Sequence, residues 1–208
     1  MTNGSSQPTV FVVDDDASFR TAVSRLLRAA GHQVKVFASG SEFVLSLPAT
    51  GPGCVVADLQ MPGLSGLDLQ AALARSDNPL PVLFLTGHGD IPTSVHAMRL
   101  GAEDFLTKRA PKEALLDAVN RALARDTRER AERARVQEAR ARFDALTARE
   151  REVLQHVLRG QLNKQIAGDL GIHERTVKLH RTAITNKVGV QSVAELTQLW
   201  MEAFPKGQ

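Results

Sequence analysis

Four polar features with complementary chemistry follow four short apolar runs in the first half of the chain. Asp58 ends the run Cys-Val-Val-Ala-Asp, and the acidic cluster 14–16 follows Val-Phe-Val-Val. Thr86 follows Pro-Val-Leu-Phe-Leu, and Lys108 follows Asp-Phe-Leu-Thr. A carboxylate can attack phosphorus and carry an acyl phosphate, whereas clustered carboxylates suit Mg²⁺. Hydroxyl and ammonium groups bind phosphoryl oxygens. Together these positions predict phosphoryl chemistry on Asp58.

The apolar runs are typical of buried strands, and helix-like segments separate them. The pattern predicts strands at 9–13, 33–37, 54–58, 81–86 and 104–107, alternating with helices at 17–30, 40–47, 66–75, 91–100 and from 111. This alternation predicts an α/β fold, with a doubly wound five-stranded parallel sheet. Ligands of open α/β sheets bind at the carboxyl ends of the strands. We therefore expect the four polar features to converge at that edge.

Some of these residues also fit purely structural roles. The cluster 14–16 precedes a helix, and aspartate is favoured at a helix N-cap and in the first turn. Asp58 precedes a Pro-Gly loop and could form a turn. The site interpretation is preferred because all four features end strands of one series. Further along, Asp90 and Pro92 are expected at the start of the helix at 91.

Composition permits one large or two modest domains. The chain has 208 residues and 43% hydrophobic residues, with no run near the ~18 apolar residues of a membrane span. The N-terminus lacks a secretory signal, so a cytoplasmic location is expected. The single cysteine, Cys54, is expected to be a buried core thiol. The net charge is −2 over residues 1–110, +3 over 111–142 and +2 over 143–208. The acidic first part suits a metal site, and the basic remainder suits a partner that carries phosphates.

The second half of the chain is predicted to be helical. Residues 121–142 are rich in Arg, Ala and Glu and lack Gly and Pro, which predicts a long solvated linker helix. A coiled coil is the alternative, but the apolar seam that begins at Leu116 runs into charged residues after Leu123. The following part, 143–208, contains a capping box at Thr147–Glu150 that starts a helix.

A helix-turn-helix is predicted next. Asn163 is expected to cap a short helix through Leu170, Gly171-Ile172-His173 forms a turn, and a further helix spans 174–188. In that last helix apolar residues fall on one face, and long or hydroxylated donors on another. Such donors can reach bases and phosphates in a major groove. A solvated basic face is the alternative that charge pattern alone favours.

The strand-end motifs resemble those of the receiver domain of two-component response regulators. The resemblance covers about residues 8–120, through Val-Val-Asp-Asp-Asp, the segment that begins at Asp58, Leu-Thr-Gly-His-Gly-Asp and Gly-Ala-Glu-Asp-Phe-Leu-Thr-Lys. It implies that a histidine kinase phosphorylates Asp58. It further implies that Mg²⁺ binds Asp15, Asp58 and the backbone carbonyl of Gln60, with Asp14 acting largely through water. Thr86 and Lys108 would bind the phosphoryl group, and Phe105 would be the aromatic switch residue.

The second half resembles the LuxR-type helix-turn-helix domain over about residues 143–203. Leu-Thr-Ala-Arg-Glu-Arg-Glu-Val-Leu, Asn-Lys-Gln-Ile-Ala, Arg-Thr-Val-Lys-Leu-His-Arg and Asn-Lys-Val-Gly-Val carry this resemblance. The whole chain is thus similar to the NarL/FixJ class of response regulators. The resemblance implies contacts to base edges from Lys178, Leu179 and Thr182. It implies phosphate contacts from four others: Lys164, Thr176, Arg181 and Lys187.

Two departures from the family pattern stand out. Lys108-Arg109-Ala110 replaces the usual Lys-Pro-Phe, whose Lys–Pro bond is commonly cis. A cis bond before a residue other than proline costs about 2.5–4 kcal/mol, so a trans bond and a reshaped loop are expected, which puts the reach of Lys108 to the phosphate in question. His173 replaces the usual serine cap of the recognition helix, and imidazole is a poorer cap. His88, two residues after Thr86, could tune acyl phosphate hydrolysis or lie on the loop surface.

These observations predict a transcription factor, not an enzyme. Its domains would span 8–120 and 143–208, and its partners would be a sensor histidine kinase, double-stranded promoter DNA and, on phosphorylation, a second copy of the chain. RNA polymerase is a further partner that the resemblance allows. An aspartate-dependent phosphatase is disfavoured because its nucleophile belongs to an Asp-x-Asp pair after the first strand. A DNA-binding regulator with a phosphorylation-independent receiver is the remaining alternative.

Overall fold

The computed structural model describes residues 7–46, 51–87 and 91–205. In this part of the chain a five-stranded parallel sheet has the order β2-β1-β3-β4-β5. The strands are β1 Thr9–Val13, β2 Gln33–Phe37, β3 Gly53–Asp58, β4 Val82–Thr86 and β5 Asp104–Thr107. The predicted doubly wound parallel sheet is therefore confirmed, and each predicted strand lies within one residue of its observed bounds. Asp90 and His88 lie outside the described residues.

Four helices and the first part of a fifth, within the described chain, pack on the two faces of this sheet. They are α1 Ala17–Ala29, α2 Gly40–Ser46, α3 Gly66–Ala74, α4 Ile91–Arg99 and α5 Lys112–Asp144. Successive strand residues point to opposite faces, so Phe11 and Val13 face α2 and α3 whereas Val10 and Val12 face α1 and α5. Both faces are covered over the three central strands, which is why β1, β3 and β4 are almost continuously hydrophobic, whereas the edge strand β2 alternates polar and apolar residues.

Helix α5 continues without a break through the predicted linker. The chain divides into two compact units, 1–130 and 131–208, and the division falls inside this helix. The prediction of a wholly solvated linker is wrong at Asp126, which is fully buried. Its Oδ2 accepts hydrogen bonds from the backbone N–H of Gly53 at 2.8 Å and from Nε of Arg130 at 2.8 Å. The carboxylate is buried because it satisfies a backbone donor at the start of β3.

The second unit is helical in its described part. After α5 come α6 Ala148–Leu158, α7 Asn163–Leu170, α8 Glu174–Val188 and α9 Val193–Ala203. One apolar core joins them, with Val153, Ile166 and Ile184 almost inaccessible to solvent. The predicted Thr147–Glu150 capping box is present. Helix α7 ends at Gly171, whose φ of 62° is left-handed and favours glycine, and this turn leads directly to α8.

One predicted cap is wrong. Asn163 is the first residue of α7, and Leu162 holds the N-cap position. The backbone N–H of Leu162 donates instead to Oε1 of Gln165 at 2.8 Å. The side chain of Asn163 is engaged elsewhere, because its Oδ1 accepts a hydrogen bond from Nη1 of Arg181 at 2.9 Å. Asn163 therefore links α7 to α8 instead of capping its own helix.

Candidate functional site

The parallel register brings the four strand-end features to one edge of the sheet. Val13 pairs with Ala57, so that Asp14 and Asp58 follow at the same level on adjacent strands. Thr86 lies one residue beyond Leu85, the partner of Asp58. Lys108 follows β5, and its backbone N–H donates to the carbonyl of Thr86 at 2.8 Å. The convergence predicted from the sequence is therefore observed.

Lys108 joins the two carboxylates that follow the central strands. Its Nζ lies 2.7 Å from Oδ2 of Asp14 and 2.7 Å from Oδ2 of Asp58. Asp14 and Asp58 are buried, and Thr86 is only 1% exposed. Although Arg109 replaces proline, Lys108 reaches Asp58, and the described chain contains no cis peptide bond. The expectation of a trans bond before Arg109 is confirmed, and Lys108 reaches the carboxylate of Asp58 with this bond in place.

The acidic residues fit a hard cation. Among the described residues, Asp14, Asp15 and Asp58 each offer a carboxylate oxygen, and these oxygens lie within 4.8 Å of one another. Oxygen donors of this charge suit Mg²⁺, which is bound through few carboxylates and keeps some of its water. Asp15 is exposed, so its oxygens stay accessible from solvent. The backbone N–H of Gln60 donates to Oδ1 of Asp58 at 3.3 Å, whereas metal binding by the Gln60 carbonyl stays a prediction.

Burial and pairing oppose each other in this cluster. Burial raises the pKa of Asp14 above its ordinary value, although the hydrogen bonds from Lys108 and from the Asp16 amide act in the other direction. Burial alone would lower the pKa of Lys108, but its hydrogen bonds to Asp14 and Asp58 prevail and raise it. Lys108 is therefore held as a cation between the two carboxylates, where it offsets their mutual repulsion.

The helix-cap interpretation of the acidic run is correct for one of its members. Oδ1 of Asp16 accepts the backbone N–H groups of Ser18 at 2.8 Å and Phe19 at 3.1 Å, and these bonds lower the pKa of Asp16. Asp14 instead points into the cluster and accepts the Asp16 amide at 2.9 Å. Three consecutive aspartates thus divide their roles, since one starts α1 and two face the site.

The loop after Asp58 depends on a glycine. A Cβ added to Gly66 would lie 2.5 Å from the carbonyl oxygen of Asp58 and 2.9 Å from the ring of Phe84. Gly66 therefore lets α3 begin directly beside the end of β3. The helix is capped by Ser65, whose side chain accepts the Asp68 amide at 3.2 Å. Phe105, the predicted switch residue, is partly buried and its ring lies 6.2 Å from that of Phe84.

An open groove of about 650 Å³ lies between α7 and α8 in the second unit. Eight residues line this groove: Leu162, Asn163, Lys164, Glu174, Lys178, Arg181, Thr182 and Thr185. The predicted base-contacting residues Lys178 and Thr182 are among them and are exposed. Leu179, the third, is 65% exposed. An exposed apolar side chain beside lysines and threonines suits contact with a thymine methyl group.

Two predicted phosphate-binding residues have protein partners. Arg181 donates to Asn163, as described above. Nζ of Lys187 lies 2.7 Å from Oε2 of Glu150, the buried acid of the α6 capping box. The hydrogen bond from Lys187 lowers the pKa of Glu150 below its ordinary value. Lys164 lies in the groove, and Thr176 is half-buried in the first turn of α8. His173 holds the N-cap position of α8 without a side-chain hydrogen bond, as its imidazole led us to expect.

Sequence reasoning missed two contacts of these sites. The ring of Phe19 lies under the ammonium of Lys108, and Asn163 holds Arg181. Phe19 could have been noticed as an aromatic residue three positions after the Asp16 cap. The Asn163 contact joins residues 18 positions apart and has no local sequence signal.

Family models match both units. Residues 10–120 match the response regulator receiver domain, and residues 144–200 match the bacterial regulatory proteins of the luxR family. Nodulation protein W of Bradyrhizobium diazoefficiens is 41% identical over 198 residues, which cover 95% of this chain and 87% of that protein. The transcriptional regulatory protein FixJ of the same organism is 37% identical, with 93% of this chain and 95% of FixJ covered.

Solved structures agree with these relationships. The response regulator StyR is 45% identical in sequence and superposes with a TM-score of 0.82, covering 95% of this chain and all of the StyR chain. The described part of the chain contains no helix that is long and apolar enough to cross a membrane.

Proposed function

Because this chain belongs to the NarL/FixJ class of two-component response regulators, we propose that phosphorylation of Asp58 controls its binding to promoter DNA. The phosphoryl donor is a histidine kinase. The bond between phosphorus and the kinase imidazole nitrogen breaks as a bond to a carboxylate oxygen of Asp58 forms. The arrangement of Lys108 between Asp14 and Asp58, with 2.7 Å to each, is the observation that carries this proposal.

The residues around Asp58 have distinct tasks in this reaction. Asp15, Asp58 and the Gln60 carbonyl would hold Mg²⁺ directly, with Asp14 acting largely through water, and the ion would supply positive charge beside the phosphoryl oxygens. The ammonium of Lys108 binds a phosphoryl oxygen as a point charge.

The hydroxyl of Thr86, at the end of the neighbouring strand, binds another phosphoryl oxygen. Movement of Thr86 toward the phosphoryl group changes the space available to Phe105. Because Phe105 is partly buried against the core and adjacent to Phe84, the switch is transmitted through apolar packing.

DNA recognition is assigned to the groove of the second unit. Lys178, Leu179 and Thr182, all exposed on α8, contact base edges. Lys164, Thr176 and Arg181 contact phosphates, with Asn163 fixing the direction of Arg181. Lys187 is left out of this set because its ammonium is paired with Glu150.

Phosphorylation acts on an equilibrium between forms of the protein. A phosphoryl group that binds one form more strongly shifts the population toward it. We propose that the favoured form is a homodimer, which places two recognition helices in successive major grooves about 34 Å apart. The bound dimer then acts on transcription, with RNA polymerase as the expected further partner.

The test combines labelling with DNA binding. Acetyl phosphate and Mg²⁺ should label the full-length protein stoichiometrically and increase its affinity for an operator selected from random DNA. Asp58→Asn should abolish both effects, because an amide is a poor nucleophile, and Asp68→Asn, a change at an exposed aspartate of α3, should preserve both. Tight operator binding that is the same with and without the phosphodonor would support the alternative, a phosphorylation-independent regulator.

A further inference from the structure

Phe19 places an aromatic ring against the lysine of the phosphorylation site. The Nζ atom of Lys108 lies 4.5 Å from the centre of the Phe19 ring. Phe19 is partly buried and packs on the apolar cluster between α1, α5 and the sheet. The same ammonium donates to Asp14 and Asp58. Lys108 is therefore held between two carboxylates and the face of a ring.

The backbone fixes the position of this ring. The Asp16 side chain accepts the N–H of Phe19 at 3.1 Å. This hydrogen bond fixes the backbone of the first turn of α1, from which the Phe19 side chain extends. The loop that carries Lys108 lacks the proline and phenylalanine expected from the resemblance to receiver domains. Its Ala110 lines a cavity of about 170 Å³. Phe19 and Lys108 line the same cavity, so that unfilled space lies beside the lysine.

We infer that Phe19 is a positioning residue for Lys108, and that its ring keeps the ammonium directed at Asp58. The inference rests on the proposed phosphorylation of Asp58. A cation over an aromatic face is attracted by the negative charge of that face and needs less water around it. Without the ring, the lysine would rotate toward the open cavity and solvent, and it would meet a phosphoryl oxygen less often.

Labelling kinetics provide the first test. Full-length protein is mixed with acetyl phosphate and Mg²⁺, and the rate of Asp58 labelling is followed. Phe19→Leu keeps an apolar side chain and removes the ring, and it should slow labelling about fivefold. Phe19→Tyr keeps the ring face and should restore the rate. Leu26→Ala is the matched control, since Leu26 lines the same cavity but is not part of the site, and its labelling rate should be unchanged.

A double-variant cycle separates positioning from a general effect on structure. In a Lys108→Gln background the ammonium is absent, so Phe19→Leu should cause no further loss of rate. An equal fivefold loss in both backgrounds would overturn the inference, because the ring would then act through something other than Lys108. An unchanged rate in the single variant would overturn it as well.

A second measurement does not depend on phosphorylation. In protein labelled with ¹³C-lysine, the ε-methylene resonance of Lys108 should be displaced by the ring current of Phe19 and is assigned by its disappearance in Lys108→Gln. Phe19→Leu should remove this displacement and Phe19→Tyr should keep it. If the displacement is absent in the unaltered protein, the positioning inference fails. If it is present but Asp58 takes no label, the proposed function fails instead.

Discussion

Replacing Lys187 by methionine is expected to destabilise the second unit and to leave the salt dependence of its DNA binding unchanged. Oε2 of Glu150 accepts hydrogen bonds from Nζ of Lys187 at 2.7 Å and from the backbone N–H of Thr147 at 2.7 Å. Glu150 is only 5% exposed, so the variant leaves an enclosed carboxylate without this cation. Methionine keeps an unbranched stem and a similar helix propensity. Any change in stability of the Lys187→Met variant can therefore be attributed to the loss of the ammonium group.

The expected loss in the free energy of unfolding follows from the burial of Lys187 and Glu150. A hydrogen bond that involves a charged group contributes about 1.5–3 kcal/mol. Because 38% of the Lys187 side chain is exposed, water compensates part of the loss, and we expect about 1–2 kcal/mol. With a urea m value of about 1 kcal/mol/M for a small unit, the unfolding midpoint should fall by about 1–2 M.

Fluorescence of the full-length chain reports this loss selectively. Trp200 is the only tryptophan, and its ring lies 5.1 Å from Phe143 and 4.2 Å from Phe204 in the core of the second unit. Glu150→Gln should also lower the midpoint. The double variant should lose less than the sum of the two single variants, because both remove the same interaction.

The pH dependence has a defined direction. The folded-state pKa of Glu150 lies below its ordinary value, chiefly because of the hydrogen bond from Lys187. The ion pair therefore stabilises the fold fully above the ordinary glutamate pKa of 4.5, and this stabilisation is lost as the pH falls through the lower folded-state value. The difference in stability between the unaltered protein and Lys187→Met should accordingly shrink in acid.

Salt titrations of operator binding give the result that would refute this reasoning. A lysine that binds a phosphate contributes about one unit to the slope of log affinity against log salt. Lys187→Met should keep the slope of the unaltered protein, and Lys178→Met, in the exposed first half of the same helix, serves as the comparison that changes DNA affinity. An unchanged urea midpoint with a slope reduced by about one would show that Lys187 binds phosphate and that its contact with Glu150 contributes little.

Four further outcomes are expected. Asp15→Ala should weaken Mg²⁺ binding without unfolding the chain, because it removes a ligand and also repulsion among carboxylates; calorimetry measures this, and unchanged affinity would contradict the role of Asp15. Arg109→Pro, which restores the residue expected from the family resemblance, should change the lifetime or yield of the phosphorylated form, and an identical time course would make the departure functionally silent. Lys178→Ala should relax sequence preference at one base position at a cost of about 1–3 kcal/mol per half-site, measured by competition with single-base operator variants; a uniform loss across all duplexes would make Lys178 a phosphate contact. Asp126→Ala should leave the Gly53 N–H without its buried acceptor, cost about 1–3 kcal/mol and increase hydrogen exchange of the β3 amides, whereas unchanged exchange would mean that the bond is replaced.

The fold and the main site followed from local patterns in the sequence. Continuous apolar runs that end in Asp58 and Thr86 are sufficient to predict parallel strands, and parallel strands place their carboxyl ends at one edge of the sheet. The capping box at Thr147–Glu150 is equally local, because its hydrogen bonds join residues three positions apart. Such features can be predicted from the sequence because the interactions that cause them join residues within one helix or strand, or recur at the regular spacing of that element.

Contacts between distant residues were decided only by the tertiary structure. The sequence around Asp126 suggests a solvated helix, yet its carboxylate binds the N–H of Gly53, 73 positions away. Lys187 has the appearance of a phosphate-binding residue, and packing of α8 on α6 sets it against Glu150. Phe19 meets Lys108 because the lysine side chain reaches from the end of β5 to Asp14, close to the start of α1. A charged side chain contacts whichever partner the packed fold brings within reach. Composition and periodicity do not identify that partner, because it lies far away in the sequence.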